Sequence, residues 1–181
     1  MKITETSLPG VLLITPSIYR DSRGTFHETF NARQMAEAGL PAEWPQDNFS
    51  LSRKNVLRGI HYQVILPQGK LVRVTTGAVL DVAVDLRRSS PAFARHFAVQ
   101  LDSEKGEMLW IPAGFGHGFL ALTDDAGFAY KLTDYHSPAG ERTIVWNDPD
   151  LAIPWPIDES AVILSDKDRH GVALRDAELF P

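Results

Sequence analysis

A chain of 181 residues that is 44% hydrophobic and 23% charged has room for one full-sized domain with a substantial core and little room for two. This balance excludes disorder as the default. Its 18 Lys and Arg against 23 Asp and Glu leave a net charge of −5 with no basic block, so a nucleic-acid surface is not expected. There is no cysteine, which excludes a disulfide framework, a thiolate metal site and a thiol nucleophile. Met1 to Thr6 lacks the charged-then-apolar pattern of a secretion signal, and no apolar run approaches membrane-spanning length. The expectation is one domain over residues 1–181, cytoplasmic, without membrane or nucleic-acid partners.

In chain order, residues 11–14 form a short apolar run closed by Pro16. Residues 25–30 alternate, with Phe26, Glu28 and Phe30 on one face; both runs read as strands. Between them, Arg20-Asp-Ser-Arg-Gly24 has the chemistry of a tight turn and places Arg20 and Arg23 at a sheet edge. Asn31 caps a short helix predicted over residues 32–38, which Gly39 ends and Pro41 and Pro45 keep from continuing. From Asp47 the pattern becomes strand, turn, strand, over residues 48–52, 56–63, 71–76, 78–85, 94–101, 107–111, 115–122 and 128–133. Many short strands without long amphipathic helices predict an all-β antiparallel jelly-roll barrel with short peripheral helices. After Tyr135 the chain is rich in Pro and Asp and is expected to wrap the outside of the barrel in turns and helical pieces.

Three stretches carry groups that can do chemistry. In the strand Val56 to Gln63, His61 shares a face with Gly59 and Gln63, while Arg58, Ile60 and Tyr62 point the other way. Strand twist and the freedom of Gly59 still allow Arg58 and His61 to serve one pocket mouth. Three glycines around His117 give its imidazole room to face a ligand. Tyr130 stands in an apolar strand, and Lys70 opens another after Pro67-Gln-Gly69. Each has an ordinary structural reading when taken alone: a hydrogen-bonded core histidine, a turn histidine, a packed tyrosine, a solvated lysine. No H-x-H or H-E-x-x-H occurs, so metal binding is not expected, and no G-x-S-x-G elbow, Walker loop or G-x-G-x-x-G is present.

Eight stretches, in one order along the chain, carry a resemblance. They are Asp21-Ser-Arg-Gly-Thr-Phe-His-Glu28, Gln46-Asp-Asn-Phe-Ser50, Leu57-Arg-Gly-Ile-His-Tyr-Gln63, Gln68-Gly-Lys-Leu-Val-Arg73, Asp81-Val-Ala-Val-Asp-Leu-Arg87, Pro112 to Phe119, Tyr130-Lys131 and Ser165-Asp-Lys-Asp168. Together they resemble the dTDP-4-dehydrorhamnose 3,5-epimerase family, a cupin-type jelly roll acting without cofactor on a dTDP-4-keto-6-deoxyhexose. The resemblance implies His61 as base with Asp168 as its orienting carboxylate, Tyr130 as proton donor on the opposite face, and Lys70 beside the C4 oxygen. It implies His117 in substrate binding and Arg23 and Arg58 on the pyrophosphate. Phe26, Glu28, Gln46, Asp47 and Asn48 match the nucleotide side of the pocket, and Glu141 and Lys167 further binding positions. It also implies a homodimer in which the segment from Arg23 to Glu28 acts across the interface.

The chain departs from the family pattern at Tyr135-His136, where a tandem tyrosine is usual, and at Gly116, where alanine is usual. His136 is the feature that keeps a rival open, an enzyme inverting only C5 or only C3. A second rival, a cupin-like binding protein for nucleotide sugars without turnover, has no need of an acid and a base. A metal-dependent cupin is disfavoured by the missing H-x-H.

Overall fold

The computed structural model describes Met1–Pro181 throughout. Its strands are β1 (Lys2–Glu5), β2 (Leu12–Thr15), β3 (Tyr19–Asp21), β4 (Gly24–Phe26), β5 (Gln46–Ser52), β6 (Leu57–Gln63), β7 (Lys70–Thr76), β8 (Ala78–Asp85), β9 (His96–Asp102), β10 (Met108–Ile111), β11 (Phe115–Ala121), β12 (Ala126–Leu132) and β13 (Glu141–Thr143). The helices are α1 (Ala32–Glu37) and α2 (Asp166–Arg169). None is long and apolar enough to cross a membrane.

Two sheets face each other, one in the order β1-β2-β10-β7-β12-β5 and the other β13-β6-β11-β8-β9. Their strand pairs are antiparallel, and from β5 to β13 the chain changes sheet at every step except the β8–β9 pair. This is the expected all-β cupin-type jelly roll. Between the sheets lie Val72 and Val74 of β7, Val79 and Ala83 of β8, Leu109 and Ile111 of β10, and Phe119 and Phe128 of β11 and β12. β8 is buried along nearly its whole length because its other face is covered too. There Val82 and Val84 pack with Ile60, Tyr62, Leu151 and Leu174 under the C-terminal segment, which lies along the outside of the five-stranded sheet.

Asp148 secures that segment. Its buried carboxylate accepts from the backbone N–H of Asp150 at 2.9 Å and of Leu174 at 2.8 Å. On the far side α1 covers the six-stranded sheet through Met35, which packs with Ile14, Met108 and Trp110, and the Asn31 side chain caps it by accepting from the Gln34 N–H at 3.2 Å.

The strand expected over residues 25–30 ends at Phe26. Past it the alternation serves other purposes: Glu28 accepts from the side chains of Asn31 and Gln34 at the start of α1, and Phe30 turns its ring edge onto Trp44. β1 and β13 are absent from the sequence reading because both are short and polar; each exists by pairing with a neighbour, β1 with β2 and β13 with β6.

The pairing of β6 with β11 is irregular at the point that matters for function. His117 lies opposite His61 and Phe119 opposite Arg58, so three steps on β6 match two on β11. This bulge cancels the strict alternation and brings Arg58 and His61 to one cavity. Gly59 permits it, with φ +128 and a position at which a Cβ would lie 2.5 Å from the Gly118 Cα. Gly59→Ala is therefore expected to destabilise the fold by roughly 2 kcal/mol or more. Denaturant unfolding of the variant checks this; an unchanged midpoint would refute the close approach.

Candidate active site

One cavity of about 400 Å³ opens at an end of the barrel, between the sheets. Alternation on β5 turns Gln46, Asn48 and Ser50 inward, Lys70 leads the inward face of β7, and Tyr130 follows Phe128 on β12. Opposite them stand Arg58 and His61 of β6 and His117 of β11, with Glu141 of β13 at the rim. The C-terminal segment adds Ser165, Lys167 and Asp168.

His61 and Asp168, 107 residues apart in sequence, meet with Nε2 2.5 Å from Oδ1. A carboxylate there is an acceptor, so it holds the proton on Nε2 and leaves Nδ1 as the free basic nitrogen. Asp168 is itself fixed: Oδ2 accepts from the Ser165 hydroxyl at 2.7 Å, and Ser165 Oγ in turn accepts the Asp168 N–H at 3.1 Å as the cap of α2. Burial pushes the Asp168 carboxyl up, but the His61 ring, Ser165 and the Gly59 N–H outweigh it and hold the group below the usual range. Burial lowers the imidazole of His61, and the hydrogen bond and charge of Asp168 only partly restore it, so near pH 7 it is mostly neutral and able to take a proton.

Lys70 is buried, and its ammonium donates to the His61 carbonyl at 3.4 Å. Burial pulls it down to about 8, against the carboxylates of Asp81 and Glu141. Below that value it is a buried cation. His117 donates from Nε2 to Asp81 at 2.9 Å and stacks on Phe128 with ring centroids 5.9 Å apart. At the rim Lys167 donates to Glu141 at 2.6 Å, and His136 stands 3.7 Å from the other Glu141 oxygen. Burial raises the Glu141 carboxyl, but Lys167 and the neighbouring imidazoles hold it below its ordinary value. No group of three or more His, Asp or Glu side chains converges as a metal-ligand set would. The arrangement holds a base, a phenol and a cation around one space.

Four of the residues named from the sequence lie elsewhere. Asp47 points out of the barrel, 2.9 Å from the Lys131 ammonium, because a strand cannot turn Gln46, Asp47 and Asn48 to the same side. Arg23, Phe26 and Glu28 are also outside the cavity. The β3–β4 hairpin pairs with no other strand, so Arg23 closes on Asp21 at 2.6 Å, Phe26 is 71% exposed, and Glu28 is taken up at α1. The sequence reading missed Ser165, Asp81 and Ser50. Ser165 was detectable as a helix cap three residues before Asp168, and Asp81 as a carboxylate in the middle of an apolar strand.

A family model described as dTDP-4-dehydrorhamnose 3,5-epimerase matches residues 5–176. The dTDP-4-dehydrorhamnose 3,5-epimerase of Pseudomonas aeruginosa is 51% identical over 182 residues, covering 100% of both chains. Among solved structures, dTDP-6-deoxy-D-glucose-3,5-epimerase of Legionella pneumophila in complex with dTDP-4-keto-L-rhamnose is 47% identical, with TM-score 0.94 over 98% of this chain and 94% of its own. A 3'-monoepimerase of Streptomyces bikiniensis in complex with dTDP-quinovose is 38% identical, with TM-score 0.88 over 94% of this chain and 86% of its own. With the jelly roll and this cavity, a match across nearly the whole chain places the protein in the dTDP-4-dehydrorhamnose 3,5-epimerase family.

Proposed function

We propose that the chain converts dTDP-4-dehydro-6-deoxy-D-glucose to dTDP-4-dehydro-L-rhamnose by inverting C3 and C5, with no cofactor. The observation that carries this reading is the His61–Asp168 pair opening onto the same cavity as Tyr130 and the buried Lys70. Hydrogens at C3 and C5 are both α to the C4 ketone, so loss of either as a proton gives an enolate. Nδ1 of His61 takes the proton, Asp168 supports the imidazolium, and the Lys70 ammonium stabilises charge on the C4 oxygen. Tyr130 returns a proton to the opposite face, which inverts the centre. His117 binds the sugar; Arg58, Gln46, Asn48, Lys167 and Glu141 receive the nucleotide end, with the Arg58 fork suited to pyrophosphate oxygens.

The protein acts as a homodimer of one-domain chains in the cytoplasm, and the β3–β4 hairpin completes the partner's site with Arg23, Phe26 and Glu28. Exposed apolar side chains support this pairing, Tyr19 and Phe26 on the hairpin and Phe49 and Leu51 on the edge strand β5.

The test is incorporation of deuterium. Incubated with the keto-sugar in D₂O, the product should carry label at both C3 and C5, located by mass spectrometry and NMR. Label at one carbon would move the chain to the single-centre epimerases, the reading favoured by His136. No label from folded protein that still binds dTDP would leave a binding protein.

A further inference from the structure

β8 is apolar except for two carboxylates, and both are fully buried. Asp85 is satisfied, by Arg87 at 2.7 and 2.9 Å and by the Ser90 hydroxyl at 2.6 Å. Asp81 is not. Its Oδ2 accepts from His117 Nε2, while its Oδ1 is buried without a partner in the chain. A half-satisfied carboxylate inside a barrel is costly, and the steps proposed above give it no task.

Its surroundings supply one. As an acceptor, Asp81 keeps the His117 proton on Nε2, and the stacked Phe128 holds the ring plane, so Nδ1 is the nitrogen left to meet a ligand. Lys70 reaches in from the facing sheet with one hydrogen bond, to a carbonyl. Around it stand His61 with Asp168 on β6 and α2, His117 on β11, Tyr130 on β12, and Glu141 with Lys167 at the rim. Burial and Lys167 disfavour the ammonium; Asp81 and then Glu141 favour it. Glu141 is already engaged by Lys167 at 2.6 Å, which leaves Asp81 as the main counter-charge.

We propose that Asp81 is a positioning residue for this site, holding the His117 ring in one tautomer through one oxygen and supplying a buried counter-charge to the Lys70 ammonium. It rests on the proposed function only in that His117 and Lys70 meet the substrate there. Without that charge, burial acts on Lys70 less opposed, and the ammonium loses its proton at lower pH.

Two readouts need no substrate. In the wild-type chain, ¹⁵N shifts should show His117 protonated at Nε2 and not at Nδ1. The Lys70 midpoint, read from its side-chain ¹⁵N and ¹³C shifts, should fall by about one pH unit or more in Asp81→Asn. It should fall by less in Glu141→Gln. The basic limb of kcat/KM should move down with it in Asp81→Asn. A merely structural role would lower the melting temperature and kcat alike at every pH and leave the Lys70 midpoint unmoved. That result, or the opposite His117 tautomer, overturns the proposal. If Asp81→Asn does not fold, the wild-type tautomer decides. A Lys70 midpoint that moves in a chain with no epimerase turnover would sustain the role of Asp81 and remove the proposed function instead.

Discussion

His61→Asn is expected to lower kcat by on the order of 10³-fold or more while leaving dTDP affinity within about threefold. Asparagine has the size to fill the space beside Asp168 and can donate to it, so the carboxylate keeps a partner and the cavity its shape. What disappears is the lone pair on Nδ1, the group proposed above to accept protons from carbon. His61 also stands in a strand whose neighbours Ile60 and Tyr62 are buried on the outer side, so the backbone is held independently of the imidazole. Isothermal titration with dTDP, together with product formation and solvent deuterium exchange, separates the two quantities. Residual turnover above about a tenth of wild type would mean that the base is another group.

Asp168→Asn should be nearly as damaging, with kcat down by about 10²- to 10⁴-fold, because the amide cannot meet all the demands that the carboxylate meets. Asp168 accepts from His61, from the Ser165 hydroxyl and, at 3.4 Å, from the Gly59 N–H. If the new NH₂ faces His61, it forces the ring proton onto Nδ1 and removes the base. If it faces Ser165 instead, the tautomer survives but the imidazolium loses its counter-charge. Since the Asp168 charge and hydrogen bond raise the His61 pKa, their loss lowers it further. The acid limb of kcat/KM should therefore move to lower pH even as the plateau falls. A limb that stays in place would show that Asp168 does not act through His61.

The barrel was legible from the sequence because its strands are marked by turn residues and by apolar runs that burial on both faces requires. β8 was read to its observed ends for that reason. Elements that owe their existence to a neighbour were not: β1 and β13 are too short and polar to declare themselves, and residues 27–30 mimic a strand while serving α1. At the site, the residues that the cavity gathers are those whose strand parity points inward. The nucleotide-side trio Gln46-Asp-Asn48 could not all share a side, and Asp47 gave way. Arg58 and His61 went the other way: parity separates them, and only the bulge at Gly59 reunites them. Asp168 was out of reach of any periodicity, since it lies in a four-residue helix brought to His61 by tertiary packing.

At its closed end the barrel interior is valine, leucine and phenylalanine, but at the open end the same inward positions carry Gln46, Asn48, Ser50, Lys70, Asp81 and His117. Heat resistance and turnover therefore compete for the same handful of positions. Well-packed apolar side chains there would give a tougher barrel with nothing left to move a proton. A search for hardier variants that keep their activity should leave these inward positions alone and work on the outer faces.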